Sequence, residues 1–132
     1  MSEVKEGLYY TEEHEWAEPT GAGTVRIGIT DFAQNQLGDI VFVEFPEVGV
    51  TVEAEQPMGT IESVKTVSEL NSPVSGKVIK VNGALIDSPE LLNSEPYGSG
   101  WIVEVEVEGD LPETLGRLQT AEQYASYTEG KE

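Results

Sequence analysis

Residues 57 to 81 read Pro57-Met58-Gly59-Thr60-Ile61-Glu62-Ser63-Val64-Lys65-Thr66-Val67-Ser68-Glu69-Leu70-Asn71-Ser72-Pro73-Val74-Ser75-Gly76-Lys77-Val78-Ile79-Lys80-Val81, and around Lys65 the letters nearly mirror. Glu62, Ser63 and Val64 lead in; Thr66, Val67, Ser68 and Glu69 lead out. β-Branched and small polar residues favour extended chain, so strands over Gly59 to Val64 and Thr66 to Leu70 meet at Val64-Lys65-Thr66. The spacing predicts a hairpin whose apex is the lysine, with its amine at maximum reach.

The same punctuation runs outward from this hairpin. Short apolar runs at Leu8 to Tyr10, Val25 to Ile29, Ile40 to Phe45, Gly76 to Val81 and Trp101 to Val107 are separated by Gly, Pro and Asn, which predicts many strands and tight turns. In the last run Val103, Val105 and Val107 alternate with Glu104, Glu106 and Glu108. One face is then dry and the other wet, and the acid row reads as the guard of an exposed sheet edge. Helical signals are short: Thr30 caps a turn or two through Phe32 and Gln36 to a stop at Gly38, and Pro89 to Asn93 fits a single turn. Thr120-Ala121-Glu122-Gln123 has the form of a capping box opening a small C-terminal helix through Tyr124 and Tyr127. The expectation is a mainly β fold in one domain over residues 1–132, with tails 1–6 and 128–132 flexible.

Composition removes several function classes. Seven Lys and Arg against 25 Asp and Glu give a net charge of −18, which repels nucleic-acid phosphates and anionic membranes. Dense carboxylates also favour a soluble monomer by mutual repulsion, or steer the chain toward basic docking faces. The absence of Cys excludes disulfides, thiolate nucleophiles and thiolate metal sites, and the lone His14 excludes a His pair, so no metal is expected. No stretch approaches the ~20 apolar residues of a membrane helix. The first residues resemble neither a secretory signal nor a transit peptide, so a cytoplasmic protein is expected; a mature mitochondrial form would read the same.

A four-carbon stem on a rigid turn suits covalent attachment of a prosthetic arm, although an ordinary solvated turn lysine fits the hairpin too. What favours attachment is the setting: Lys65 has no basic neighbour within ten positions and sits in an uncharged collar of Ser63, Val64, Thr66 and Val67. His14 has no nucleophile to form a recognisable triad and reads as structural, and Trp16 and Trp101 read as core or groove-wall aromatics. Ser75-Gly76-Lys77 echoes a phosphate loop only faintly, since Asn71 stands at the required first glycine and Val78 at the required hydroxyl. Gly76 reads as a bend after Pro73.

Six ordered motifs carry a resemblance to a known family. They are Tyr9-Tyr10-Thr11-Glu12-Glu13-His14-Glu15-Trp16, Gly28-Ile29-Thr30-Asp31-Phe32-Ala33-Gln34, Leu37-Gly38-Asp39-Ile40-Val41-Phe42-Val43, Glu62-Ser63-Val64-Lys65, Ser72-Pro73-Val74-Ser75-Gly76, and Asn93-Ser94-Glu95-Pro96-Tyr97-Gly98 with Gly100-Trp101. Together they resemble the glycine cleavage H-protein family over about residues 7 to 127. The resemblance implies a flattened β-sandwich, the barrel-sandwich hybrid of lipoyl and biotinyl carriers, with lipoate joined by an amide to Lys65.

By the same resemblance the oxidised arm accepts an aminomethyl group from the pyridoxal-phosphate glycine decarboxylase as carbon dioxide leaves. Aminomethyltransferase then passes the one-carbon unit to tetrahydrofolate with release of ammonia, and dihydrolipoyl dehydrogenase, with FAD and NAD, reoxidises the dithiol. Lipoylating enzymes are further partners, and the chain itself is a substrate carrier rather than an enzyme. A loaded arm needs shelter from water and carboxylates for its ammonium. The matching acids are Glu15 and Glu69, with Glu13 weaker, and each has an ordinary alternative as a solvated carboxylate. Other readings stay open: a lipoyl donor for other enzymes, a biotinyl carrier, which resembles Met-Lys-Met where Val64 and Thr66 stand here, and a plain acidic interaction domain. Carriers of 2-oxo acid dehydrogenases differ in showing Asp-Lys-Ala within longer chains.

Overall fold

The computed structural model describes residues 3–21 and 23–129. In chain order its strands are β1 (Tyr9–Tyr10), β2 (Glu15–Gly21), β3 (Thr24–Ile29), β4 (Ile40–Glu44), β5 (Thr51–Val52), β6 (Pro57–Ser63), β7 (Val67–Asn71), β8 (Gly76–Val81) and β9 (Val103–Val107). Among the described residues they form two sheets, one ordered β1-β2-β3-β9-β8-β5 and one ordered β4-β6-β7, with every strand pairing antiparallel and no closed barrel. The mainly β, two-layered expectation holds. Val25 and Ile27 of β3, Val78 of β8 and Val103 and Val105 of β9 meet Ile40 and Val43 of β4, Ile61 of β6 and Leu70 of β7 in the main core. Each such side chain contributes about 1.5–3 kcal/mol when buried.

One strand lies elsewhere than its pattern implied. β9 sits between β3 and β8 and is no sheet edge. Its wet-face acids are matched instead by cations on both neighbours: Arg26, Glu104 and Lys80 stand in one cross-strand row, and Thr24, Glu106 and Lys77 in the next. Arg26 Nη2 reaches Glu104 Oε2 at 2.9 Å, and opposite-charge neighbours of this kind support an interior strand. Trp101 is half-buried beneath them, with the Arg26 guanidinium 4.7 Å from its ring centroid.

β2 and β5 had no clear signal in the sequence. Pro19 and Gly21 disguise β2, and the register shift between them absorbs both residues at the strand's end. Both faces of β2 are covered over Glu15, Trp16 and Ala17, while Pro19 to Gly21 are exposed. Ala17 faces the main core, while Trp16 packs into a second cluster with Leu8, Tyr10, Tyr97 and Tyr124.

Among the described residues five short helices close the ends: α1 (Asp31–Leu37), α2 (Ala84–Asp87), α3 (Leu91–Ser94), α4 (Leu111–Gly116) and α5 (Ala121–Thr128). Thr30 caps α1, and Thr120 and Gln123 form the expected capping box of α5. The turn expected over Pro89 to Asn93 begins two residues later as α3, and α2 and α4 are additional. Tyr124 stacks on Tyr10 at 4.6 Å, and its hydroxyl lies 2.8 Å from both His14 Nδ1 and Thr30 Oγ1, so the histidine is structural. Thr128 is buried at the end of α5; of the two tails, residues 1–2 and 130–132 lie outside the described residues. Gly76 serves close approach rather than a bend: a Cβ there would meet the Glu106 carbonyl oxygen at 2.1 Å.

Candidate functional site

The small sheet presents Lys65 at the tip of the β6–β7 hairpin, as the mirrored sequence implies. β6 and β7 pair through Glu62 and Val67, leaving Ser63 to Thr66 to turn the chain. The Ser63 amide donates to the Thr66 carbonyl at 2.8 Å. The Ser63 hydroxyl accepts from the amides of Lys65 at 3.3 Å and Thr66 at 3.1 Å, replacing the carbonyl that a tighter turn would supply. From outside the hairpin, the Val64 amide donates to the Asp39 carbonyl at 3.0 Å. The apex is therefore tied both internally and to the corner between α1 and β4.

The lysine stem passes over Gly38. A Cβ on Gly38 would lie 3.5 Å from Lys65 Cε, and the backbone there has φ +81°, which glycine adopts without strain. Lys65 is exposed, and among the described residues its ammonium enters no ion pair. Val64, at 69 % exposure, and Val67, at 62 %, flank it, and the exposed Phe42 shares a cross-strand row with Glu62 and Val67. An amine so placed fits an acyl group: it is open to an incoming enzyme, carries no competing partner and stands on a fixed support. Among the described residues no cluster of three or more His, Asp or Glu could hold a metal ion.

The three candidate carboxylates do not share one surface. Glu15 and Glu13 line a recess of about 450 Å³ with Thr11, Asn71, Arg117 and Gln119. Glu69 lines another, of about 550 Å³, with Glu44, Thr60 and Met58, and Lys65 lines neither. The two recesses are linked along β7, where Val67, Glu69 and Asn71 alternate onto one face in steps of about 6.6 Å. Asn71 then donates its amide to Glu15 Oε2 at 3.4 Å.

Glu15 is a strongly perturbed carboxyl group of this region. It shares with Ala17 the inward face of β2 and is 3 % exposed. Burial pushes its carboxyl up to about 8; the Thr11 hydroxyl and the Asn71 amide pull the other way, and the nearby Glu13 adds to the rise. In the same recess Asn71 Oδ1 and Gln119 Oε1 are buried acceptors that receive no hydrogen bond from the described residues.

Ser63, Gly38 and Asn93 were not singled out as site residues by the sequence, which placed Ser63 in the collar of Lys65 and Gly38 at the end of a helix. Asn93 lies in α3, yet its side chain reaches the Gly38 carbonyl at 2.8 Å and the Ile40 amide at 2.9 Å. Its presence in an ordered motif was the one available signal; the link to Lys65 emerges only from the tertiary structure.

Known proteins place this geometry. The family model described as Glycine cleavage H-protein matches residues 8–131. The glycine cleavage system H protein of Mycolicibacterium smegmatis is 56 % identical over 125 residues, covering 94 % of this chain and 95 % of its own. That of Bacillus cereus strain AH820 is also 56 % identical over 125 residues, covering 95 % and 96 %. A crystal structure of a glycine cleavage system H protein from Mycobacterium marinum superposes with a TM-score of 0.85 at 41 % identity, over 96 % of this chain and 99 % of that one.

Proposed function

The chain belongs to the glycine cleavage H-protein family, and on that premise we propose that it is the lipoyl carrier of the glycine cleavage system, with lipoate joined by an amide to Nζ of Lys65. The amide forms when the neutral amine displaces the leaving group of an activated lipoyl carboxylate, its one surplus proton passing to solvent. When bound, the group supplies a disulfide at the end of a long tether. The chain's own residues hold that tether's root: Ser63 and Asp39 fix the apex, and Gly38 leaves room for the stem.

In this role the chain presents Lys65 to lipoylating enzymes, then to glycine decarboxylase, aminomethyltransferase and dihydrolipoyl dehydrogenase in turn. It carries an aminomethyl group between the first two and catalyses none of the steps. Glu15 and Glu69, with Glu13 beside the former, supply carboxyl oxygens for the ammonium of the loaded arm along the face of β7.

The observation that carries this reading is an exposed amine, without an ion-pair partner among the described residues, at the apex of a doubly tied hairpin, in a chain matched to the family over residues 8–131. The intact mass and peptide map of the natively expressed protein test it. One lipoyl group on the Lys65 peptide is expected, and Lys65→Arg should abolish glycine cleavage in a reconstituted mixture. A biotinyl group, an unmodified lysine in lipoate-replete cells, or undiminished activity of the arginine variant overturns it.

A further inference from the structure

Two of the contacts that set the Lys65 apex come from one short corner, Gly38 to Ile40. Gly38 lies beneath the lysine stem, and the Asp39 carbonyl accepts from the Val64 amide. Residues leaving a helix are ordinarily among the softer parts of a fold, because the last turn has no following amides to bond its carbonyls. Here one side chain from a distant element takes over. Asn93 of α3 donates from Nδ2 to the Gly38 carbonyl at 2.8 Å and to Gln34 Oε1 at 3.0 Å, and its Oδ1 accepts from the Ile40 amide at 2.9 Å. Both faces of the carboxamide are used, a combination of donor and acceptor that neither a carboxylate nor an alkyl group can reproduce.

We infer that Asn93 is a positioning residue for Lys65: it locks the corner on which both the hairpin apex and the lysine stem are set, so that the amine is offered to modifying enzymes in one conformation. This rests on the carrier reading above. Loss of the lock leaves the amine chemically unchanged and lowers the fraction of molecules with the apex correctly presented. An enzyme that selects that fraction sees a weaker substrate with an unaltered chemical step.

The test measures kcat and KM of a lipoate–protein ligase, supplied with lipoate and ATP, on the unmodified full chain. Asn93→Ala should raise KM about five- to tenfold while kcat stays within about twofold, and the Val64 amide should exchange with solvent faster. Asn82→Ala is the structural control. It loses three comparable side-chain bonds, to the Ser99 and Trp101 carbonyls at 2.9 and 2.7 Å and from the Ala84 amide at 3.2 Å, away from the hairpin. It should lower the melting temperature yet leave KM and the Val64 exchange rate as in the wild type. Should Asn93→Ala fail to fold, Asn93→Asp, which keeps the acceptor for Ile40 and loses the donors, carries the same expectation.

Wild-type KM in the Asn93 variants, or an equal rise in Asn82→Ala, overturns the inference while the carrier reading stands. A wild-type chain that takes up no lipoate overturns both.

Discussion

The hydroxyl of Thr11 donates to Oε1 of Glu15 at 2.7 Å, inside the recess where burial raises the Glu15 carboxyl from 4.5 to about 8. The folded protein therefore retains a proton that the unfolded chain releases. Below pH 4.5 the group is protonated in both states; between about 4.5 and 8 only the unfolded chain ionises, so this residue makes stability fall as pH rises through that window. Glu15→Gln removes the effect. Its melting temperature minus that of the wild type should grow steadily from pH 5 to pH 8, and a constant difference across thermal melts at several pH values would contradict the assignment.

Ser63→Ala tests the internal tie of the hairpin. The hydroxyl accepts from two backbone amides, Lys65 and Thr66, and alanine leaves both without it. A cost of about 1–2 kcal/mol in urea denaturation is expected, with faster exchange confined to those amides. Exchange at the wild-type rate would show that the apex keeps its shape without the serine.

The hairpin was legible because two readings agreed on it: strand-forming residues on either side of the apex, and a lone cation in an uncharged collar. The alternation of Val103, Val105 and Val107 likewise revealed a half-wet strand. Its place in the sheet stayed hidden, because edge and interior strands share that alternation and the choice lay in Arg26, Lys77 and Lys80 on two other strands. β2 was masked by Pro19 and Gly21, which local propensity scores as breakers and a terminal bulge tolerates. Asn93 stood in an ordered motif, but its role was hidden for a different reason: three bonds from a single carboxamide to residues more than fifty positions away leave no local pattern.

Gly28→Ala probes the second cluster. An added Cβ would stand 2.6 Å from Trp16 Cζ2, and the indole cannot withdraw freely because its Nε1 donates to the Ile29 and Pro96 carbonyls at 2.9 and 3.0 Å. Overpacking of this kind costs about 1–3 kcal/mol. The loss should appear in urea denaturation together with a changed tryptophan emission, and a variant of unaltered stability would mean that Trp16 is less constrained than its two bonds imply.

The net charge of −18 bears on encounter as well as solubility. If carboxylates steer the carrier toward basic faces of its partners, the association rate with glycine decarboxylase should fall by an order of magnitude or more between about 0.01 M and 0.15 M salt, as the screening length shrinks. Stopped-flow rates that ignore ionic strength would leave the charge as a solubility device alone.

Glu15 and Glu69 belong to separate recesses, and that separation shapes how their removal should combine. Side chains that act independently give additive losses, whereas two oxygens gripping one ammonium lose most of their effect with the first substitution. The link through Asn71 on β7 favours joint action on an arm lying along that strand. Because Glu15 keeps its proton below about pH 8, its test must remove the oxygens. Glu15→Leu with Glu69→Gln should therefore shorten the lifetime of the aminomethyl-loaded arm about tenfold, with either single change giving most of it. Measured hydrolysis of the loaded carrier decides between the two: additive losses would mean separate roles, and an unchanged lifetime would remove both acids from the sheltering of the arm.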